Sequence, residues 1–143
     1  MGQLLEFKLA GTAFAVELSQ LLEVRREDAF SPSPQHEGGA WIGELRLRGV
    51  AVPVYDLRPF LGLSVAHETR FFLLMQQDPH WAMAVEEIGG LLPVGSVEVL
   101  PLPEVVQRRT RPYYDHLLRC GERIFIPCQP AAWLAGAGRL SHG

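Results

Sequence analysis

The apolar positions of this chain fall into short runs, most of them with a period of two. Leu5, Phe7 and Leu9 alternate with Glu6 and Lys8 as a half-buried strand, Gly11 turns the chain, and Phe14 and Val16 open a second strand, which predicts a hairpin. Between Glu17 and Leu22 the spacing changes. Leu18, Leu21 and Leu22 fall on one face of a short helical turn and are expected to be core, before Glu23-Val24-Arg25 extends again. From Ala29 to Ala40 the run AFSPSPQHEGGA has no periodicity and reads as a surface loop inside one domain.

The stretch Leu45–Leu63, LRLRGVAVPVYDLRPFLGL, organises the rest. Leu45 and Leu47 alternate with Arg46 and Arg48, Gly49 punctuates, and Val50, Val52 and Val54 resume the alternation, so two strands meet at a tight turn. Pro53 has no N–H to give to a ladder and needs an edge or a bulge, which puts this part of the sheet beside an open edge. Asp56 is the N-cap of a short helical turn carrying Leu57, Phe60 and Leu61, and Gly62 stands where a left-handed C-terminal residue belongs.

Ser64–Glu68 reads as a connector, and Arg70–Met75 and Trp81–Val85 flank Asp78-Pro79 as a second hairpin. Glu86–Val94 runs through Gly89-Gly90, which suggests a bend or bulge that lets a strand pass between sheets. Leu100–Pro103 and the following QRRTRP read as irregular. Tyr114–Cys120 and Arg123–Cys128 form a last hairpin about Gly121-Glu122, and Gln129-Pro130 starts a short helix with Ala131, Trp133 and Leu134 that Gly136 and Gly138 end. Short strands with only brief helical pieces indicate an all-β domain of sandwich or barrel type.

Composition sharpens this picture mainly by exclusion. At 143 residues and 48% hydrophobic, the chain can fill the core of one domain. Its net charge is −3 and its arginines are scattered, so nucleic acid is not an expected partner. No stretch approaches the roughly 20 apolar residues needed to cross a bilayer, and no basic leader precedes an apolar run at the N-terminus. A cytoplasmic protein without membrane insertion is expected. Cys120 and Cys128 read as buried thiols rather than a disulfide.

The sequence carries no recognisable catalytic or metal-binding motif. HExxH, CxxC, a phosphate-binding glycine loop and Gly-x-Ser-x-Gly are all missing, and the five histidines are dispersed. Glu86 and Glu87 are neighbours on a strand and point to opposite faces, so they cannot share a substrate; one of them should be solvated. No catalytic residue, metal or cofactor is expected, and the chain reads as a non-enzyme.

Leu47-Arg48-Gly49, Pro53-Val54, Asp56-Leu57-Arg58 and Leu61-Gly62-Leu63 together resemble the hallmark of the CheW-like domain family, the coupling module of bacterial chemosensory arrays. Glu23 in LLEVR, Thr69-Arg70 before FFLLM, and AVEEIGGLLPV follow in the family's order. Arg46 stands where the family usually has Asn. The resemblance implies two small SH3-like five-stranded β-barrels about a shared core. They would form a single domain over residues 1–138, with 139–143 a frayed tail. It further implies a non-catalytic adaptor that links the cytoplasmic tip of a chemoreceptor to the regulatory domain of a CheA-type histidine kinase, through two separate surfaces. Glu23 and Arg48 would lie together as an ion pair on the coupling surface with Gly49 and Arg46, while Pro53, Asp56, Leu57, Arg58 and Gly62 shape the motif. A CheW-like regulator of pilus motility or surface sensing that has lost one contact is an alternative. A small-ligand-binding β-barrel is another, and would need a closed apolar pocket with convergent polar groups.

Overall fold

The computed structural model describes residues 2–26, 30–33, 40–105 and 113–142. Among the described residues two sheets are formed, each of six strands. The first has the order β10-β11-β12-β2-β1-β9, from β1 (Gln3–Leu9), β2 (Thr12–Glu17), β9 (Glu87–Pro93), β10 (Glu98–Pro101), β11 (His116–Cys120) and β12 (Arg123–Pro127). The second has the order β3-β7-β8-β6-β5-β4, from β3 (Leu21–Arg26), β4 (Phe30–Pro32), β5 (Trp41–Leu47), β6 (Val50–Tyr55), β7 (Phe71–Met75) and β8 (Ala82–Val85).

In each sheet the two end strands, β9 with β10 and β3 with β4, are consecutive in the chain. Each sheet is thus bounded by strands that follow one another in the chain, the strand order of a small barrel. A barrel leaves few edges open to stray pairing.

Burial follows from this. Strands at the junction are apolar on both faces: Leu73, Met75, Met83 and Val85 point into the core shared by the barrels, together with Leu5, Phe7, Leu9, Phe14 and Val16. Their neighbours Phe72, Leu74, Ala82 and Ala84 fill the second barrel with Leu45, Val52 and Val54. Leu4, Ala15, Leu118 and Phe125 fill the first. The half-buried reading of β1 is therefore corrected at Glu6, which is buried and ion-paired to Arg123.

The chain crosses between barrels twice. After β2 a 3-10 turn at Leu18–Gln20 leads into β3, and after β8 the chain passes Glu86 into β9. Gly89 and Gly90 form a bulge, two residues opposite Glu6 in the β1–β9 ladder, but it lies within one sheet, and the passage between sheets that was expected there falls at Glu86. A Cβ on Gly89 would come within 2.6 Å of Glu6 Cδ, so only glycine lets that carboxylate lie against the strand.

Other expectations are revised. Leu18, in the 3-10 turn, and Leu22, on the outward face of β3, are exposed rather than core; Leu21 alone of the three packs on the shared core. Phe30–Pro32 inside the expected loop pairs with β5, since Phe30 stacks on Phe72 with ring centroids 5.1 Å apart. Leu100 and Pro101 belong to β10 rather than to an irregular stretch. The segment QRRTRP lies outside the described residues. The C-terminal helix α1 (Pro130–His142) runs through Gly136 and Gly138 instead of ending there. Trp133, Gly136 and Ala137 turn one face inward, and that packing outweighs the roughly 1 kcal/mol by which glycine disfavours a helix. Cys128 is buried and Cys120 only partly so, and both are free thiols.

Candidate functional site

The hallmark hairpin is built as its residues dictate. Leu47 pairs with Val50, leaving Arg48 and Gly49 as a two-residue turn with φ of 51° and 84°. Positive φ at both central positions is the type I′ geometry that matches the twist of the flanking strands. Arg48 thus sits in a left-handed conformation at an exposed tip, and no ion pair reaches it among the described residues. Ala10 in the β1–β2 turn has the same conformation, so the backbone alone does not mark a site.

The expected Glu23–Arg48 ion pair is not formed. Glu23 Oε1 instead accepts from Arg25 Nε at 2.6 Å, and Arg25 Nη1 donates to the Arg46 carbonyl oxygen at 2.8 Å. Arg46 Nη1 then donates to the Gly49 carbonyl oxygen at 3.1 Å. Residues two apart on one strand share a face, so Arg25 reaches Glu23 more readily than does a turn residue of another strand. Arg46 thereby braces the turn from one side, and Glu23, Arg25, Arg46 and Gly49 form a connected series that leaves the Arg48 guanidinium to solvent.

Below the tip, β6 pairs with β8 only at Val54 and Tyr55. The stretch from Val50 to Pro53 is open on that side, where a residue without an N–H is tolerated. Beside it runs a groove of about 560 Å³ between the second barrel and α1, lined in part by Arg48, Val50, Pro53, Tyr55, Trp81 and Leu134. Tyr55 and Trp81 meet edge to face in its floor at 5.9 Å, and Trp81 Nε1 is held by Gln77 Oε1 at 2.6 Å. Pro53 and its neighbours were legible in sequence as an edge; the contributions of Trp81 and Leu134 were not, because they arrive from remote elements.

The other motif residues form the turn that follows β6. Asp56 Oδ1 accepts from the Arg58 N–H at 3.1 Å as an N-cap should. Gly62 (φ 72°) and Leu63 close the far end by donating to the carbonyls of Pro59 and Arg58, the Schellman pattern. Leu57 and Phe60 bury themselves in the shared core. Arg58 is 5% exposed. It donates to both Asp56 oxygens, to Glu86 Oε2 at 2.8 Å and to the His67 carbonyl at 2.6 Å. The hydrogen-bonded Asp56 carboxylate raises the guanidinium's pKa above its ordinary value; burial acts the other way, and Glu86 adds to the increase. Glu86 is buried and Glu87 exposed, but Glu86 lies at the bend between β8 and β9 rather than along one strand with Glu87, and its role as a partner of Arg58 had no signal in local spacing.

The CheW-like domain model matches residues 3–134. The chain belongs to the CheW-like domain family. It is 26% identical over 125 residues to chemotaxis protein CheW of Bacillus subtilis (strain 168) and 24% identical to chemotaxis protein CheW of Rhizobium meliloti (strain 1021), with 85% of this chain and 80% of each relative covered. Its fold is similar to that of the scaffolding protein TtCheW from Thermoanaerobacter tengcongensis, with a TM-score of 0.72 at 18% identity over 90% of this chain and 88% of that one. The two barrels about one core are thus the family's architecture in this chain. Among the described residues no helix is long and apolar enough to cross a membrane, and no group of three or more His, Cys, Asp or Glu is placed to hold a metal.

Proposed function

We propose that this CheW-like domain is a non-catalytic cytoplasmic adaptor that couples a chemoreceptor to a CheA-type histidine kinase. The family match across residues 3–134 carries the reading. The hairpin tip with Arg48, Gly49 and Arg46, braced by Glu23 and Arg25, serves the receptor contact. The groove beside it suits the apolar face of a helix: it has aromatic and aliphatic walls, and Pro53 removes an N–H that an added strand would need. The kinase's regulatory domain docks on a separate apolar surface of one barrel. Arg48 is the discriminating residue, because its exposed guanidinium offers a planar fork that lysine cannot reproduce.

The test substitutes Arg48 by Asn, which tolerates the left-handed conformation and keeps the turn. Arg48→Asn should melt like the parent yet weaken receptor coupling by about 1–3 kcal/mol in a co-sedimentation assay with receptor tips and kinase. Arg48→Lys should not restore it, and binding to the isolated kinase regulatory domain should persist. Parent-level coupling in both variants would remove Arg48 from the contact, and loss of kinase and receptor binding together in a folded variant would show that the surfaces are not separate.

A further inference from the structure

The tip of the β5–β6 hairpin has two sides, and its two arginines divide between them. The apolar groove takes Leu47, Arg48, Val50 and Pro53 from this hairpin, but Arg46 has no part in its wall. Arg46 belongs to the side held by β3. There Arg25 engages both the Glu23 carboxylate and the Arg46 carbonyl, and Arg46 Nη1 engages the Gly49 carbonyl at 3.1 Å.

This arrangement acts on Arg48. The acceptors on the β3 side are already engaged, and Glu23 neutralises Arg25, so Arg46 stands there as a cation with no carboxylate of its own among the described residues. The Arg48 guanidinium therefore meets neither a free carboxylate nor a favourable potential on that side, and the groove side is left to it. The β1–β2 turn makes a useful contrast. Ala10 and Gly11 have the same positive φ values without any side-chain bond to their carbonyls among the described residues. Such a turn folds unaided, so what the Arg46 bond adds is order at the tip and a direction for Arg48.

We infer that Arg46 is a positioning residue for Arg48: by holding the Gly49 carbonyl and placing a positive charge on the β3 side, it keeps the Arg48 fork over the apolar groove without itself meeting the partner. This rests on the reading of the tip as the receptor contact. Order present before binding lowers the entropic cost of the complex, so the effect falls on affinity rather than on folding.

Two variants separate the roles. Arg46→Met keeps an apolar stem and removes charge and donors, whereas Arg46→Lys keeps a cation and a donor. In the free chain, nuclear Overhauser cross-peaks from the Arg48 side chain to Val50 and Pro53 should weaken in Arg46→Met and persist in Arg46→Lys, with unchanged melting in both. In the co-sedimentation assay with receptor tips and kinase, Arg46→Met should weaken coupling about three- to tenfold, as for loss of one hydrogen bond, and Arg46→Lys should retain most of it. Adding Arg46→Met to Arg48→Asn should cause no further loss. Additive losses in the double variant would place Arg46 itself on the receptor and overturn the inference. Unchanged cross-peaks in Arg46→Met, or parent-level coupling in Arg46→Met beside a weakened Arg48→Asn, would overturn it too. Parent-level coupling in Arg48→Asn would instead sink the receptor reading, and the cross-peaks of the free chain then decide alone whether Arg46 directs Arg48.

Discussion

Arg25 joins β3 to β5 by donating from Nη1 to the main-chain oxygen of Arg46 at 2.8 Å, while its Nε holds Glu23. The bond links two strands of the second sheet that are not paired with each other. It supports the hairpin from beneath and leaves Arg48 at the tip as an uncommitted cation.

Removing this support should cost little stability but loosen the tip. Arg25→Ala loses one half-exposed ion pair and one bond to a carbonyl that water can satisfy, about 1 kcal/mol in all. Amide hydrogen exchange should quicken from Leu47 to Ala51 with the barrel core unchanged. Uniform exchange across the sheet would instead show that Arg25 holds the whole barrel.

Arg58 should behave in the opposite way. Its side chain is 6% exposed, and Arg58→Ala would leave the buried Glu86 and the partly buried Asp56 as carboxylates without a counter-charge. A loss of about 3–5 kcal/mol is expected in denaturant unfolding. Glu86→Gln in the same background should recover part of it, because one of the stranded charges is gone.

Two glycines separate backbone from side-chain tolerance. A Cβ at Gly43 would fall 2.3 Å from the Ser31 carbonyl oxygen, which is fixed main chain, whereas at Gly89 it meets the movable end of Glu6 at 2.6 Å. Gly43→Ala should lower the melting temperature more than Gly89→Ala, the latter costing about 1–3 kcal/mol. Similar melting of the two variants would mean that β4 shifts freely.

The cysteines should differ in reactivity and in their effect at high pH. Burial pushes the Cys128 thiol well above its ordinary value. The unfolded chain therefore releases this proton first, and the stability associated with Cys128 is complete below about pH 8.5 and falls as pH rises beyond it. Cys128→Ala should flatten that alkaline slope. Under native conditions a thiol reagent should label Cys120 and spare Cys128.

How far the chain speaks for itself depends on the range of each interaction. The hairpins, the Pro53 edge, the Asp56 cap, the Gly62 stop and the Gly89-Gly90 bulge were legible because each is set by residues within a few positions of one another. The family resemblance was legible for the same reason, since its motifs are contiguous. The strand order of each sheet, the burial of Glu6 and Glu86, and the pairing of Glu23 with Arg25 were decided only in the folded chain. Periodicity tells which face of a strand is apolar, but not which distant element covers it. A charge chooses its partner by distance in space, and Arg58 finds Glu86 twenty-eight residues away.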